Sequence, residues 1–453
     1  MKLAVVGAGL IGLTTAAGFA DLGHRVLCCD SDSGKIGLLA RGTVSYREPG
    51  LESLVQRNVS AGRLRFGEMS EELMRSAEIV FLAVETPSAD DGQLQMAPFW
   101  AAADRLGSWD ACSRIVAIVS TVPVGTAERL EARLRARLPG HAGVDVASLP
   151  VFLREGSAVR DFYEPSRIVI GTACPETAER LDLLHQRLPG PIVHADRRSA
   201  ELAKLAANAH LALRISFANE LAALAEQTGA DYPAVAQLIG LDPRIGPHSL
   251  GAGLGFGGPS LPKDARAYVR LADEAGAPQT LVSAAIRANA MLPLRMVRKL
   301  EAALSGPARR KVALLGLTFK PGSEDMREAP SLRLIAELLR RHPGITLTAY
   351  DPAGQSPAVR HALPNAVQLC GSAEEALTGA DATILVTEWQ EFRKIPAQDY
   401  KNWMNRPIIL DGRNALDAPA LNAQGIVCIG VGRLPATPAE PPPNFSARLA
   451  ENA

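Results

Sequence analysis

The 453-residue sequence has no excess of either charge: 48 Lys and Arg stand against 48 Asp and Glu. No global field therefore draws in nucleic acid or an anionic membrane, and any anion must be held locally. Long apolar runs are also missing. The stretch over 200–225 is broken by Lys204, Arg214 and Glu220, well short of the roughly 18–20 apolar residues that a spanning helix needs. Cysteines are sparse. The six (Cys28, Cys29, Cys112, Cys174, Cys370 and Cys428) form no CxxC pair, and none lies in a glycine-rich or basic loop. That predicts free buried thiols in a reducing compartment, not a disulfide or metal framework. Nor does the N-terminus read as a signal peptide, because residues 2–6 form an apolar run that leads straight into a glycine-rich turn. A cytoplasmic location is expected, with no membrane and no nucleic-acid partner.

With 47% hydrophobic and 21% charged residues, the composition is that of a globular protein. The length suits about two or three domains. Residues 2–6, the turn Gly7-Ala8-Gly9-Leu10-Ile11-Gly12, a small-residue helix to Leu22 and a second apolar run ending at Asp30 form a βαβ unit with a dinucleotide fingerprint. Such glycines let backbone N–H groups approach a pyrophosphate at a helix N-terminus. Asp30 is placed to accept hydrogen bonds from an adenosine ribose, and its charge would repel a 2′-phosphate, which favours NAD over NADP. Strand-like runs at 79–84, 115–119, 144–148 and 167–171 alternate with helical stretches such as 126–137 and predict a doubly wound parallel sheet. From 197 to 228 the pattern becomes a long alanine-rich helix, followed by helices over 233–239, 263–275 and 278–304. A second α/β unit begins near Lys311, with a helix over 331–341 and strands over 346–350, 382–387 and 407–410. It has no GxGxxG, so a second dinucleotide is not expected. The predicted fold is α/β: two Rossmann-like doubly wound domains (1–196 and 305–433) joined by a helical dimerisation region (197–304). The proline-rich segment 434–453 is expected to be a disordered tail.

Four further stretches stand at strand ends or in loops: Val84-Glu85-Thr86-Pro87, Ser120-Thr121-Val122-Pro123, Leu149-Pro150-Val151-Phe152-Leu153-Arg154-Glu155-Gly156 and Gly255-Phe256-Gly257-Gly258-Pro259-Ser260-Leu261-Pro262-Lys263-Asp264. In Glu201-Leu202-Ala203-Lys204-Leu205-Ala206-Ala207-Asn208 a spacing of four puts Lys204 and Asn208 on one helical face. Taken in order, these motifs resemble those of the UDP-glucose/GDP-mannose 6-dehydrogenase family over about residues 2–431. The resemblance implies NAD-dependent oxidation at the primary alcohol of a nucleotide sugar, a homodimer, and an active site in the cleft between the two α/β domains. It implies cofactor contacts from Gly7, Gly9, Leu10, Ile11, Gly12, Asp30, Lys35, Thr86, Thr121, Glu155, Lys263 and Arg327. Catalytic work falls to Ser260, Lys204, Asn208, Asp264, Thr121 and Glu155. Substrate contacts fall to Val151, Phe152, Leu153, Arg154, Lys204, Asn208, Arg244, Gly257, Phe319, Lys320 and Arg413, with Arg244 reaching a neighbouring subunit.

Two positions depart from the family pattern. Its loop reads Gly-Phe-Gly-Gly-Ser-Cys, and Ser260 stands where that cysteine captures the aldehyde. Its Pro-Glu-Phe-Leu motif carries a glutamate where this chain has Val151, which can neither transfer a proton nor order a water. Both losses fall on the second half of a four-electron oxidation. Left open are an oxidation impaired after its first step, a single oxidation to the 6-aldehyde, a redox-neutral reaction that returns the hydride, a paralogue that binds without turnover, and a Cys-to-Ser variant. Ser260 also precedes a helix and is expected to cap it.

Overall fold

The computed structural model describes residues 1–89, 91–108, 114–137, 143–304 and 310–433. The segment 434–453 and Cys112 lie outside the described residues. The chain divides into two compact units. The first comprises 1–213, 256–287 and 318–328, and the second 214–255, 288–317 and 329 onward.

In the first unit, β1 (Lys2–Val6), β2 (Arg25–Cys29), β3 (Leu64–Gly67), β4 (Ile79–Leu82), β5 (Arg114–Ile118), β6 (Val144–Ser148), β7 (Ile168–Gly171) and β8 (Ile192–Ala195) form one sheet in the order β3-β2-β1-β4-β5-β6-β7-β8. The alternation of a strand is visible in β1. Leu3 and Val5 enter one buried apolar cluster, while Ala4 and Val6 enter the other. Both faces are covered, which is why the strands read as continuous apolar runs. On one face the helix Leu10–Asp21 packs so closely that a side chain on Gly18 would meet the Phe162 ring at 2.3 Å. Phe19 on the same helix stacks on Phe81, with ring centroids 5.4 Å apart.

The sheet differs from the expected one in direction. β6 and β7 pair antiparallel through Ser148 and Gly171, and β8 runs parallel to β7, so the last two strands oppose the first six. A parallel return needs a crossover of a dozen or more residues, usually a helix laid along the sheet. The connection from β6 to β7 holds only the six-residue helix Ala158–Tyr163.

The second unit carries a six-stranded parallel sheet in the order β11-β10-β9-β12-β13-β14, formed by β9 (Lys311–Leu315), β10 (Thr346–Tyr350), β11 (Val367–Leu369), β12 (Ala382–Leu385), β13 (Ile408–Asp411) and β14 (Val427–Gly430). Asp351, just after β10, is buried. Its carboxylate accepts Leu317 N at 2.6 Å, Ala353 N at 2.7 Å and Trp389 Nε1 at 3.1 Å. The acidic residue at the end of the second strand of this unit is thus engaged by its own chain.

The boundary between the units falls inside the helix Arg197–Thr228, after Leu213. The helix expected over 278–304 is two, Thr280–Ala290 and Leu292–Ala303. Pro293 has no N–H to continue the first helix and is suited to the opening turn of the next. Cys28, Cys29, Cys370 and Cys428 are free and buried, and Cys174 is free and half-buried. Among the described residues no helix is long and apolar enough to cross a membrane, and no His, Cys, Asp and Glu group has metal-ligand geometry.

Candidate active site

The glycine-rich turn of the first unit is shaped as a phosphate cradle. Gly7 has φ +106°, and a Cβ there would lie 2.4 Å from Ala83 O. A Cβ at Gly12 would lie 1.9 Å from Gly7 O, whereas one at Gly9 would meet nothing within 4 Å. Two glycines are therefore required by packing, and the third faces open space that a pyrophosphate can enter. Gly9 opens the helix Leu10–Asp21 without a side-chain cap, and Leu10 and Ile11 form its first turn. Asp30 follows β2. Its Oδ2 accepts Ala8 N at 2.8 Å and lies 3.2 Å from Lys35 Nζ. Burial alone would raise the acid's pKa, but the N–H groups of Asp32 and Ala8 and the Lys35 charge hold it below the usual range. Thr86, buried after β4, donates to Thr121 O at 2.7 Å and ties together the ends of β4 and β5. These features fit a dinucleotide.

Lys204 and Asn208 lie one turn apart on the helix Arg197–Thr228, and both reach partners inside the first unit. Lys204 Nζ donates to Val151 O at 2.8 Å and lies 5.2 Å from the centre of the Phe152 ring. Arg167, which the sequence reading missed, sits 3.6 Å over that same ring. Burial pushes the Lys204 ammonium below its ordinary pKa; Asp264 opposes this, and Lys263 and Arg167 reinforce it. Asn208 Nδ2 donates to Asp264 Oδ2 at 2.6 Å. Lys263 Nζ is 2.7 Å from the other carboxylate oxygen, but that contact lacks hydrogen-bond geometry, so Asp264 Oδ1 has no hydrogen-bond donor among the described residues. Asp264 is 1% exposed, and a buried acceptor in that state is ready to take a bond from a water or a ligand. Val151 and Leu153 pack their side chains on the core of the unit.

Ser260 departs from expectation. It precedes the helix Leu261–Glu274 at φ −107°, ψ −55° and makes no side-chain cap hydrogen bond. A capping serine needs an extended backbone to aim its oxygen at the first-turn amides, and this backbone is already helical. Ser260 is exposed, and no base is hydrogen-bonded to its hydroxyl among the described residues.

A second cluster surrounds Glu155, which accepts a hydrogen bond from the Ser323 hydroxyl. Burial pushes its carboxyl up to about 6. Asp325 adds to the rise, and the Ser323 bond with the Arg327 and Lys320 charges opposes it. Lys320 is pushed down by burial while Glu155 and Glu48 oppose. Phe319 packs against Gly258, where a Cβ would lie 2.6 Å from the ring; Gly257 beside it is half-buried. Arg154 is held by Asp161 through Nε at 2.9 Å and Nη2 at 2.6 Å. Arg327 pairs with Asp325 and, at 2.5 Å, with the exposed Glu85. Glu48 and Ser323 escaped the sequence reading. Nothing in Glu48-Pro49-Gly50 announces a partner 108 residues away.

The second unit holds the two remaining candidates. Arg413 donates to Val386 O at 2.7 Å and Gly255 O at 3.2 Å. Its guanidinium pKa is lowered by burial, with Glu388 and Asp411 opposing. Arg244 is 88% exposed and paired with Asp242 at 2.6 Å.

A dinucleotide cradle joined in one unit to a lysine, amide and carboxylate cluster defines a nicotinamide-dependent dehydrogenase. Comparison with known proteins makes the class specific. Residues 1–189 match the NAD binding domain of the UDP-glucose/GDP-mannose dehydrogenase family, 198–291 its central domain and 313–418 its UDP binding domain. The chain is 40% identical over 438 residues to the UDP-glucose 6-dehydrogenase YwqF of Bacillus subtilis, covering 97% of this chain and 99% of that one. It is 43% identical over 447 residues to a UDP-glucose 6-dehydrogenase of Pseudomonas aeruginosa, covering 96% and 98%. Among solved structures, a UDP-glucose dehydrogenase from the archaeon Pyrobaculum islandicum superimposes with a TM-score of 0.86 at 36% identity, over 96% of this chain and 98% of the other. The chain belongs to the UDP-glucose/GDP-mannose dehydrogenase family, and it is an NAD-dependent oxidoreductase of nucleotide sugars.

Proposed function

We propose that the protein oxidises the C6 alcohol of a UDP-hexose, UDP-glucose first among them, with NAD as hydride acceptor, and stops after one oxidation. The observation that carries the second half of this reading is the pairing of an assembled Lys204–Asn208–Asp264 cluster with an exposed, base-free Ser260 and an apolar Val151. Lys204, made less basic by burial, takes the hydroxyl proton as the C6 hydride leaves. Asn208 and a water on Asp264 hold the oxygen, and Glu155 and Lys320 orient the sugar. Alcohol and NAD give aldehyde, NADH and a proton. Forming a covalent adduct would then require a nucleophile, and a serine hydroxyl without a base is a poor one. The relatives named UDP-glucose 6-dehydrogenase support the choice of sugar nucleotide. The test is stoichiometry: about one NADH per UDP-glucose consumed, with aldehyde or its hydrate identified by mass. Rapid formation of two NADH and a uronic acid would end this reading.

The placement of Asp30 supports NAD over NADP. With the carboxylate fixed against Ala8 N–H, a 2′-phosphate would meet a like charge, and NADP is expected to bind at least about tenfold more weakly. Equal dissociation constants in a fluorescence titration would contradict it.

A homodimer is also proposed. In the second unit Phe217 is 57% and Leu241 73% exposed, and Leu224 and Leu238 are likewise uncovered. Such a set on neighbouring helices is unusual for a monomer surface. Phe217→Glu with Leu241→Glu is expected to yield a monomer in sedimentation at micromolar concentration. A wild type that is itself monomeric there would rule the dimer out.

A further inference from the structure

We propose that Glu48 is a positioning residue of the active site, which fixes Glu155 and Lys320 by taking the backbone N–H groups of Gly156 and Ala158 on its buried carboxylate. The inference rests on the reading above that Glu155 and Lys320 work on the sugar.

Glu48 lies in the connection that precedes the helix Leu51–Ser60. Its Oε2 accepts Gly156 N at 2.6 Å and its Oε1 accepts Ala158 N at 2.7 Å. These are charge-assisted bonds that use both oxygens. The turn they hold is Glu155-Gly156-Ser157. Gly156 has φ +78°, and a Cβ there would lie 3.3 Å from both Lys320 Cε and Pro321 O, so the Lys320 stem lies directly against the same turn. A shift of the turn therefore moves Glu155 and Lys320 together. The connection also touches the cofactor cradle: Tyr46 donates its hydroxyl to Ala8 O at 3.1 Å, and Glu48 N donates to Tyr46 O at 3.0 Å. One short segment thus spans the pyrophosphate turn and the substrate turn of the first unit. Ser323, Asp325, Arg327 and Lys320 face Glu155, Lys320 faces Glu48, and Arg154 and Asp161 also face Lys320.

A carboxylate is needed because two N–H groups converge on it. Glutamine keeps the shape but turns an NH2 group toward one of those donors, which loosens the turn without emptying the site. In the full-length protein with NAD and UDP-glucose, Glu48→Gln is expected to lower kcat about tenfold or more. It should also move a limb near pH 6 expected from Glu155, while KM for NAD stays close to wild type. A structural cap with no active-site role would leave the limb in place, and that result overturns the proposal. Should the glutamine variant fail to fold, Glu48→Asp, which keeps the charge but reaches less far, is expected to shift the limb as well, and an unshifted limb again overturns it. Glu155→Gln alone separates the two readings. Loss of the limb there with an unmoved limb in the Glu48 variants overturns only the positioning role; a limb that persists in Glu155→Gln overturns both. Amide exchange over 154–158 needs no turnover. It should quicken about tenfold in Glu48→Gln, and unchanged rates at Gly156 and Ala158 overturn the proposal.

Discussion

Lys204→Met is expected to reduce kcat for NADH formation by about 10²–10³ while leaving NAD affinity unchanged, because on the proposed reading it removes the group that takes the substrate hydroxyl proton. Burial has already pushed the Lys204 ammonium down, the direction that makes its amine a better match for work as a general base. Methionine preserves length and volume but leaves Val151 O without its 2.8 Å donor, a local cost that does not reach the glycine-rich turn. Lys204→Arg should rescue little. Its guanidinium keeps the positive charge but holds its proton at any working pH, and its fork does not fit a position built for a single ammonium. Single-turnover NADH formation at saturating NAD and UDP-glucose measures the effect. A loss under tenfold, or full rescue by arginine, would show that Lys204 only supports the Val151–Phe152 turn.

How much of this was legible in the sequence depends on where each partner sits. The strand Lys2–Val6 and the helix Arg197–Thr228 are written locally, by an apolar run and a long alanine-rich stretch, and the structure has them at those bounds, whereas the glycine turn is shorter than its motif, with the helix already begun at Leu10. Lys204 and Asn208 were legible as a pair because a helical turn is a local fact. The reversal of β7 was not, since pairing direction depends on how the connection from β6 crosses the sheet, and no residue of β7 encodes it. Distant partners were equally hidden. Glu48 finds Gly156, Ser323 finds Glu155, and the segment 318–328 packs with the first unit although 305–433 reads as one continuous domain. Ser260 failed for another reason. Its residue type favours capping, but the glycines at Gly255 and Gly258, with φ of +81° and +85°, bring the chain to it already coiled.

On the proposed reading, in which the protein releases aldehyde, Ser260→Cys is expected to give one that holds it. The substitution disturbs little, because the residue is exposed and its side chain makes no cap bond, so stability should change by no more than about 0.5 kcal/mol. A free thiol has a pKa of about 8.5, and a position at the start of a helix lowers it, which gives a useful thiolate fraction at neutral pH where a serine hydroxyl stays protonated. The sulfur adds to the aldehyde carbon to form a thiohemiacetal. Transfer of its hydride to a second NAD leaves a thioester, NADH and a proton. Release of acid from that thioester requires a water held and activated beside it, and residue 151 offers a valine packed on the core. Ser260→Cys alone should therefore give a burst approaching two NADH per site, followed by a stall, with a covalent adduct in the intact mass. Adding Val151→Glu places a carboxyl on the turn that Lys204 already holds through residue 151's own carbonyl, and turnover to the acid should rise about 10²-fold, within the range for a positioned acid or base. If Ser260→Cys still formed one NADH per sugar and carried no adduct, the missing thiol would not be what stops the reaction.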